Sequence, residues 1–208
     1  MRMRFLALLS ACTIAVACAA PVAAEPGSQA TAPKTEAPKA PPQASLIDRL
    51  HNLDFLFGAL KAAPDDETAK AIEQRIWAMW TVTRSDTANL LMTRVKTAIE
   101  QKDTDLAITL LDAIVKIKPD YVEAWNRRAT LYYMQKDYGK ALADIREVLK
   151  REPRHFGALS GLGLILQDVG DDKQALEVYR RALAVYPRLE RIPDLVKTLS
   201  EKIEGRDI

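Results

Sequence analysis

The chain has 208 residues, 48% of them hydrophobic, with 30 Lys and Arg against 28 Asp and Glu and only two cysteines. This is enough for one or two domains with a sizeable core, and a formal charge of +2 lacks the basic field that a general nucleic-acid or anionic-membrane binder needs. Both cysteines, Cys12 and Cys18, lie in an N-terminal apolar stretch, so removal of that stretch excludes disulfides, thiolate metal sites and a cysteine nucleophile together.

Two arginines in Met1 to Arg4, an apolar run from Phe5 to Cys18 and small residues up to Ala24 give the layout of a secretory signal peptide over residues 1–24. The apolar run falls short of the roughly 20 residues of a transmembrane helix. Val22-Ala23-Ala24 places cleavage before Glu25, and loss of Arg2 and Arg4 leaves 28 basic and 28 acidic residues. Export, to a periplasm, is the expectation. The alternative is a membrane-anchored lipoprotein: Leu9-Ser10-Ala11-Cys12 resembles a lipoprotein box with a short apolar core, and Ala15-Val16-Ala17-Cys18 offers a longer core without the leucine.

Residues 25–44 are rich in Pro and Ala, with Pro26, Pro33, Pro38, Pro41 and Pro42. Proline fixes φ and removes amide donors, which predicts an extended, solvated spacer. At about 3 Å per residue it could hold the following part some tens of ångströms from an attachment point; a tail without a task is the plainer reading.

Residues 45–83 read as a helical pair. Ser45 and Asp48 resemble a capping box, and Leu46, Leu50, Leu53, Phe57 and Leu60 fall on one helical face that ends near Ala63 and Pro64. Asp65, Asp66 and Glu67 gather where negative charge suits a helix start. The second helix carries Ile72, Ile76, Trp77 and Trp80, and tryptophans three apart share a side and predict core packing. Phe57 lies 34 residues before Leu91, yet Ser85 stands where a terminal proline would, so the pair reads as a degenerate repeat or an N-terminal cap.

From Ala88 to Leu189 residue types return every 34 positions: Pro119, Pro153, Pro187; Ala107, Ala141, Ala175; Leu111, Ile145, Tyr179; Leu91, Trp125, Leu159. The middle unit, with Trp125, Ala129, Tyr132, Ala141, Ile145 and Pro153, resembles the tetratricopeptide repeat. The units span residues 88–121, 122–155 and 156–189. Arg94 and Val95 depart from the pattern in the first, Arg128 in the second, and leucines replace the aromatics on the first helix of the third. Small residues at Ala129 and Gly163 admit close helix approach, and each proline stops a helix before the next unit. Residues 190–208 read as a capping helix with Pro193 in its first turn, Gly205 past its end, and Leu195, Val196, Leu199 and Ile203 on one face. The expected fold is all-α, and the resemblance implies a right-handed solenoid of helical hairpins.

No catalytic constellation emerges. His51 and His155 stand apart, with no HExxH or Cys/His cluster. His155 joins Lys150, Arg151 and Arg154 at a helix end, where positive charge offsets the helix dipole. Gly161 and Gly163 lack the third glycine and preceding strand of a nucleotide loop, and Gly170-Asp171-Asp172 reads as a turn with too few oxygens for calcium. Neither cofactor nor metal is expected.

The resemblance implies a concave surface lined by the first helix of each unit and used by peptides or partner helices. Its residues would be Asn89, Met92, Thr93 and Lys96; then Glu123, Asn126, Arg127, Thr130 and Tyr133; then Gly157, Ser160, Gly161 and Leu164. Family members that clamp a terminal carboxylate use Lys, Asn and Arg where Met92, Lys96, Arg127, Gly157 and Gly161 stand here, so this is not that clamp. Gly157, Ser160 and Gly161 make a shallow strip beside Leu164, and Asn126 and Arg127 place donors beside Tyr133, a residue suited to an interface hot spot. The expectation is a non-enzymatic adaptor binding a protein or peptide on this face; the rival is a homo-oligomer or structural part of an envelope assembly.

Overall fold

The computed structural model describes residues 46–205; the expected signal peptide, spacer, Cys12, Cys18 and Ser45 cap lie outside them. Within them the fold is all-α: α1 (Leu46–Lys61), α2 (Asp66–Thr81), α3 (Asp86–Glu100), α4 (Thr104–Ile117), α5 (Val122–Met134), α6 (Tyr138–Arg151), α7 (Phe156–Asp168), α8 (Asp172–Val185) and α9 (Ile192–Glu204). Helices α3–α4, α5–α6 and α7–α8 are three packed hairpins, stacked through α4 on α5 and α6 on α7, and α9 closes against α8.

Helix limits follow from local chemistry that repeats every 34 residues. Asp103, Asp137 and Asp171 each accept the amide of the residue three on, at 3.0, 3.1 and 3.1 Å, and so open the second helix of each hairpin. Just before them Lys102, Lys136 and Gly170 take positive φ, where glycine alone is free of steric cost. At the other end, Pro119, Pro153 and Pro187 follow Lys118, Glu152 and Tyr186, whose amides make the last helical bonds.

Each hairpin is set by a pair of residues 16 apart whose sizes offset one another: Val95 with Leu111, Ala129 with Ile145, Gly163 with Tyr179, all buried. The last pair is the tightest. A Cβ on Gly163 would lie 2.3 Å from Tyr179 Cε1, so the ring occupies the space a side chain would take. The phenol also donates to Gln167 at 2.6 Å.

Arg128, the departure in the second unit, bridges three helices. It forms a fork with Asp144 at 2.8 and 2.7 Å, reaches Asp112 at 2.6 Å and stacks on Trp125 at 4.9 Å. The hydrogen bonds to Asp144 raise the guanidinium pKa further above its ordinary value despite partial burial. A buried carboxylate such as Asp144 is tolerable only with such a partner.

The pair α1–α2 packs on the later repeats. Its cluster of Phe57, Leu60, Ala69, Ile76 and Trp80 is completed by Phe156 and Tyr186 and takes no residue from α3. The pair lies along the row of junctions between repeats. Tyr121 donates to the Thr81 carbonyl at 2.5 Å, Trp80 stacks on His155 at 4.0 Å, Arg154 reaches Asp54 at 2.6 Å, and Arg188 reaches Asp66 at 2.6 Å. Tyr121 and His155 are one period apart, as are Arg154 and Arg188, so the pair reads equivalent positions of successive repeats. Asp65 caps α2 by accepting from Thr68 at 2.7 Å, which absorbs the acidic cluster noted in the sequence.

Gly163→Ala should lower stability by about 3 kcal/mol, because the ring of Tyr179 has nowhere to retreat. Gly161→Ala, whose Cβ would meet only Ile145 Cδ1 at 3.7 Å, should raise it by about 0.5 kcal/mol through helix propensity. Urea titration of both variants against the parent chain checks the contrast.

Candidate concave binding site

Helices α5 and α7 lie side by side, and between them is a cavity of about 320 Å³ lined by Asn126, Ala129, Thr130, Tyr133, Met134, Ile145, Gly157, Ser160, Gly161, Leu164 and Ile165. Seven of these were expected on the concave surface: Asn126, Thr130, Tyr133, Gly157, Ser160, Gly161 and Leu164. They converge because α5 and α7 repeat the same register, with Asn126 one period before Ser160 and Thr130 one period before Leu164.

The cavity is apolar in effect. Its two aliphatic hydroxyls are turned to their own helices: Thr130 Oγ1 donates to the Asn126 carbonyl at 3.0 Å and Ser160 Oγ to the Phe156 carbonyl at 2.8 Å. Asn126 Nδ2 donates to Glu123 Oε2 at 3.0 Å, leaving Oδ1 as its acceptor. Tyr133 packs beside Tyr138 with ring centroids 6.0 Å apart. Burial, and then Asp168, raise the Tyr133 phenol pKa above its ordinary value and keep it a donor.

Glu123 stands behind this wall, 3% exposed. It accepts from Asn126 and, at 2.8 Å, from Arg127 Nε, and its Oε2 lies 3.7 Å from His155 Nε2. It therefore orients the two donors more than it offers itself to a partner. Arg127 remains about one-third exposed.

Other expected residues lie elsewhere. Met92 is corrected from surface to core: it is 7% exposed in the cluster with Val95, Tyr121 and Ala124, where an unbranched apolar side chain fits the gap. Asn89 brackets the backbone of Thr83, donating to its carbonyl at 2.9 Å and accepting its amide at 3.2 Å, and so holds the α2–α3 connection. Lys96 is on the open surface, 3.8 Å from Glu100. Gly157 is not part of a bare strip. Trp77 covers it, with Cη2 3.0 Å from where its Cβ would be.

His155 also differs from its sequence reading. It opens α7 instead of closing α6: Nδ1 accepts from Ala158 N at 3.1 Å, so that nitrogen carries no proton, and the ring is buried against Trp80. The α6 end is served by Arg151, which donates to the Glu147 carbonyl at 2.7 Å. The packing of α1–α2 on these junctions was beyond sequence reading; the one available signal was the two tryptophans without a partner face. Among the described residues there is no group of three His, Cys, Asp or Glu able to hold a metal, and no helix long and apolar enough to cross a membrane.

Glu123→Gln should cost about 2 kcal/mol, since the amide cannot accept from both Asn126 and Arg127 as a carboxylate does. The Asn126 side-chain amide protons should shift in NMR spectra of the variant while the Gly163 backbone amide, on a different helix contact, does not.

Sequence profiles of the tetratricopeptide repeat match residues 122–155 and 156–189. A TPR repeat-containing protein of Rhizobium etli is 43% identical over 153 residues, 74% of this chain and 75% of that one. The small glutamine-rich tetratricopeptide repeat-containing protein 2 of Saccharomyces cerevisiae is 28% identical over 42% of this chain and 25% of its own. Among solved structures, the first TPR of Spaghetti (RPAP3), bound to an HSP90 peptide, aligns with a TM-score of 0.55 at 19% identity, covering 59% of this chain and 97% of that one. MamA aligns at 0.54 and 18% identity, covering 77% and 81%. These structures share the helical-repeat fold. With the repeat profiles and the extended match to the Rhizobium etli protein, the chain belongs to the tetratricopeptide repeat family.

Proposed function

We propose that this protein is a non-enzymatic interaction scaffold whose concave face, at the α5–α7 cavity, binds a peptide segment of a partner protein. The observation that carries this reading is the cavity itself, apolar inside and lined on α5 by Asn126 and Tyr133, with the partly exposed Arg127 on the same helix. Peptide binding by similar folds supports it: the RPAP3 domain is bound to the HSP90 peptide SRMEEVD, and a yeast Sti1 domain to an Hsp70 one. The layout of residues 1–24 supports export, and the site of action proposed here is the cell envelope, with lipid attachment at Cys12 or Cys18 as the alternative. Combined replacement of Asn126, Arg127 and Tyr133 by Ala should abolish photo-cross-linking of envelope partners to the groove while the thermal midpoint stays within a few degrees. Undiminished cross-linking by the folded triple variant would overturn the groove.

A second reading, self-association through the first hairpin, rests on Leu90. It is 57% exposed, whereas Ala124 and Ala158, one and two periods on, are buried by the preceding repeat. Sedimentation equilibrium should then show a dimer that Leu90→Glu converts to monomer; a monomeric parent chain at high concentration removes this reading.

A further inference from the structure

We infer that this chain pairs with a second copy of itself through α3, the two helices running in opposite senses about a two-fold axis at Leu90, so that Asp86 of each copy meets Arg94 of the other. This rests on the self-association reading above and names the face, the register and the ion pairs of that dimer.

The open face follows from the repeat. Ala124 on α5 and Ala158 on α7, the positions equivalent to Leu90, are buried, whereas Leu90 is 57% exposed. Around it Asp86, Thr87, Thr93, Arg94 and Thr97 are exposed as well. Arg94 stands one period before Arg128, whose guanidinium reaches Asp112 on the preceding hairpin at 2.6 Å. One period before Asp112 is Ala78, so the chain has no carboxylate at the matching place for Arg94. Among the described residues neither Asp86 nor Arg94 takes part in an ion pair.

A second copy fits this face because of the order of its charges. Asp86, Leu90 and Arg94 are four apart and lie on one ridge of α3, and such ridges pack side by side when helices cross at about 50°. Along its own helix the ridge reads acid, leucine, base. The same ridge of a copy running the other way reads base, leucine, acid, so Leu90 meets Leu90 at the axis and an opposite-charge pair forms about 6 Å to either side of it. Copies running in the same sense would set Asp86 on Asp86 and Arg94 on Arg94. Thr93 and Thr97 donate their hydroxyls to the carbonyls of Asn89 and Thr93, at 3.1 and 3.3 Å, which leaves their methyl groups to pack beside Leu90. A single helix pair buries less than the roughly 1,200 Å² at which stable interfaces begin. The dimer is therefore weak, and its ion pairs select the register more than they add affinity.

The test is sedimentation equilibrium of the full-length protein up to about 1 mM, the range that so small an interface requires. The parent chain should dimerise. Asp86→Arg and Arg94→Asp each set like charges opposite one another twice, and each should weaken self-association about tenfold. An equimolar mixture of these two variants should form a heterodimer as tight as the parent dimer, because both cross-pairs become opposite again, and the Asp86→Arg/Arg94→Asp double variant should dimerise like the parent. Circular dichroism melts check that each variant is folded, and recovery in the mixture shows that neither substitution acts by unfolding α3. A parent dimer that Leu90→Glu dissociates, but that the single charge variants leave unchanged or the mixture fails to restore, overturns the proposed register while the Leu90 reading stands. A parent chain that stays monomeric over this range overturns both.

Discussion

The close approach of two helices within each hairpin is the constraint on which the rest of the structure depends. The side chain facing the contact shrinks from Val95 to Ala129 to Gly163, while the partner at Leu111, Ile145 and Tyr179 remains large. Close-packed interiors do not forgive a methylene at such a contact. Because the contact fixes how each hairpin closes, it also fixes the spacing of α5 and α7, and thereby the existence of a cavity between them. Ile145 serves both ends of this argument: it packs against Ala129 within its hairpin and forms part of the cavity wall.

Of two buried carboxylates, Asp144 ties neighbouring helices together, whereas Glu123 is held mainly within its own helix. Asp144 and Glu123 are each about 3% exposed, and each is held by an arginine, Arg128 and Arg127, adjacent in sequence but pointing to different partners. Arg128 ties α4, α5 and α6 together through Asp112 and Asp144. The pairs of Arg128 add little net stability over a hydrophobic replacement, but any slip of α4 or α6 against α5 would strand a charge. The register they enforce aligns the periodic columns, and with them the residues of the concave face.

Much of the fold was legible because its rules are local. Proline columns, helix limits and the small-large alternation act within one repeat, so a single period displays them. What escaped were contacts between distant positions. Trp77 covers Gly157 and Trp80 stacks on His155 across about two repeats of sequence, and nothing in the local pattern says which face two tryptophans will seek. The roles of Asn89 and Met92 were hidden for another reason: repeat position alone assigns both to the concave surface, but α3 is the first helix of the stack, and there Asn89 ties down the incoming connection while Met92 fills the core. Of the predicted site, seven residues of α5 and α7 line one cavity, while Glu123 and Arg127 on α5 do not.

The α1–α2 pair links stability and recognition in one set of contacts. Trp80 packs on His155, His155 caps α7 through Ala158, and Glu123 lies beside the imidazole while holding Asn126 and Arg127. Docking of the pair therefore reaches, through His155, the carboxylate that orients Asn126 and Arg127, and Trp77 packs against Gly157 of the cavity lining. The pair is thus a brace along the repeat junctions that touches the cavity lining at Gly157, and its aromatic face, more than the repeat signature, distinguishes this chain from a plain stack of hairpins.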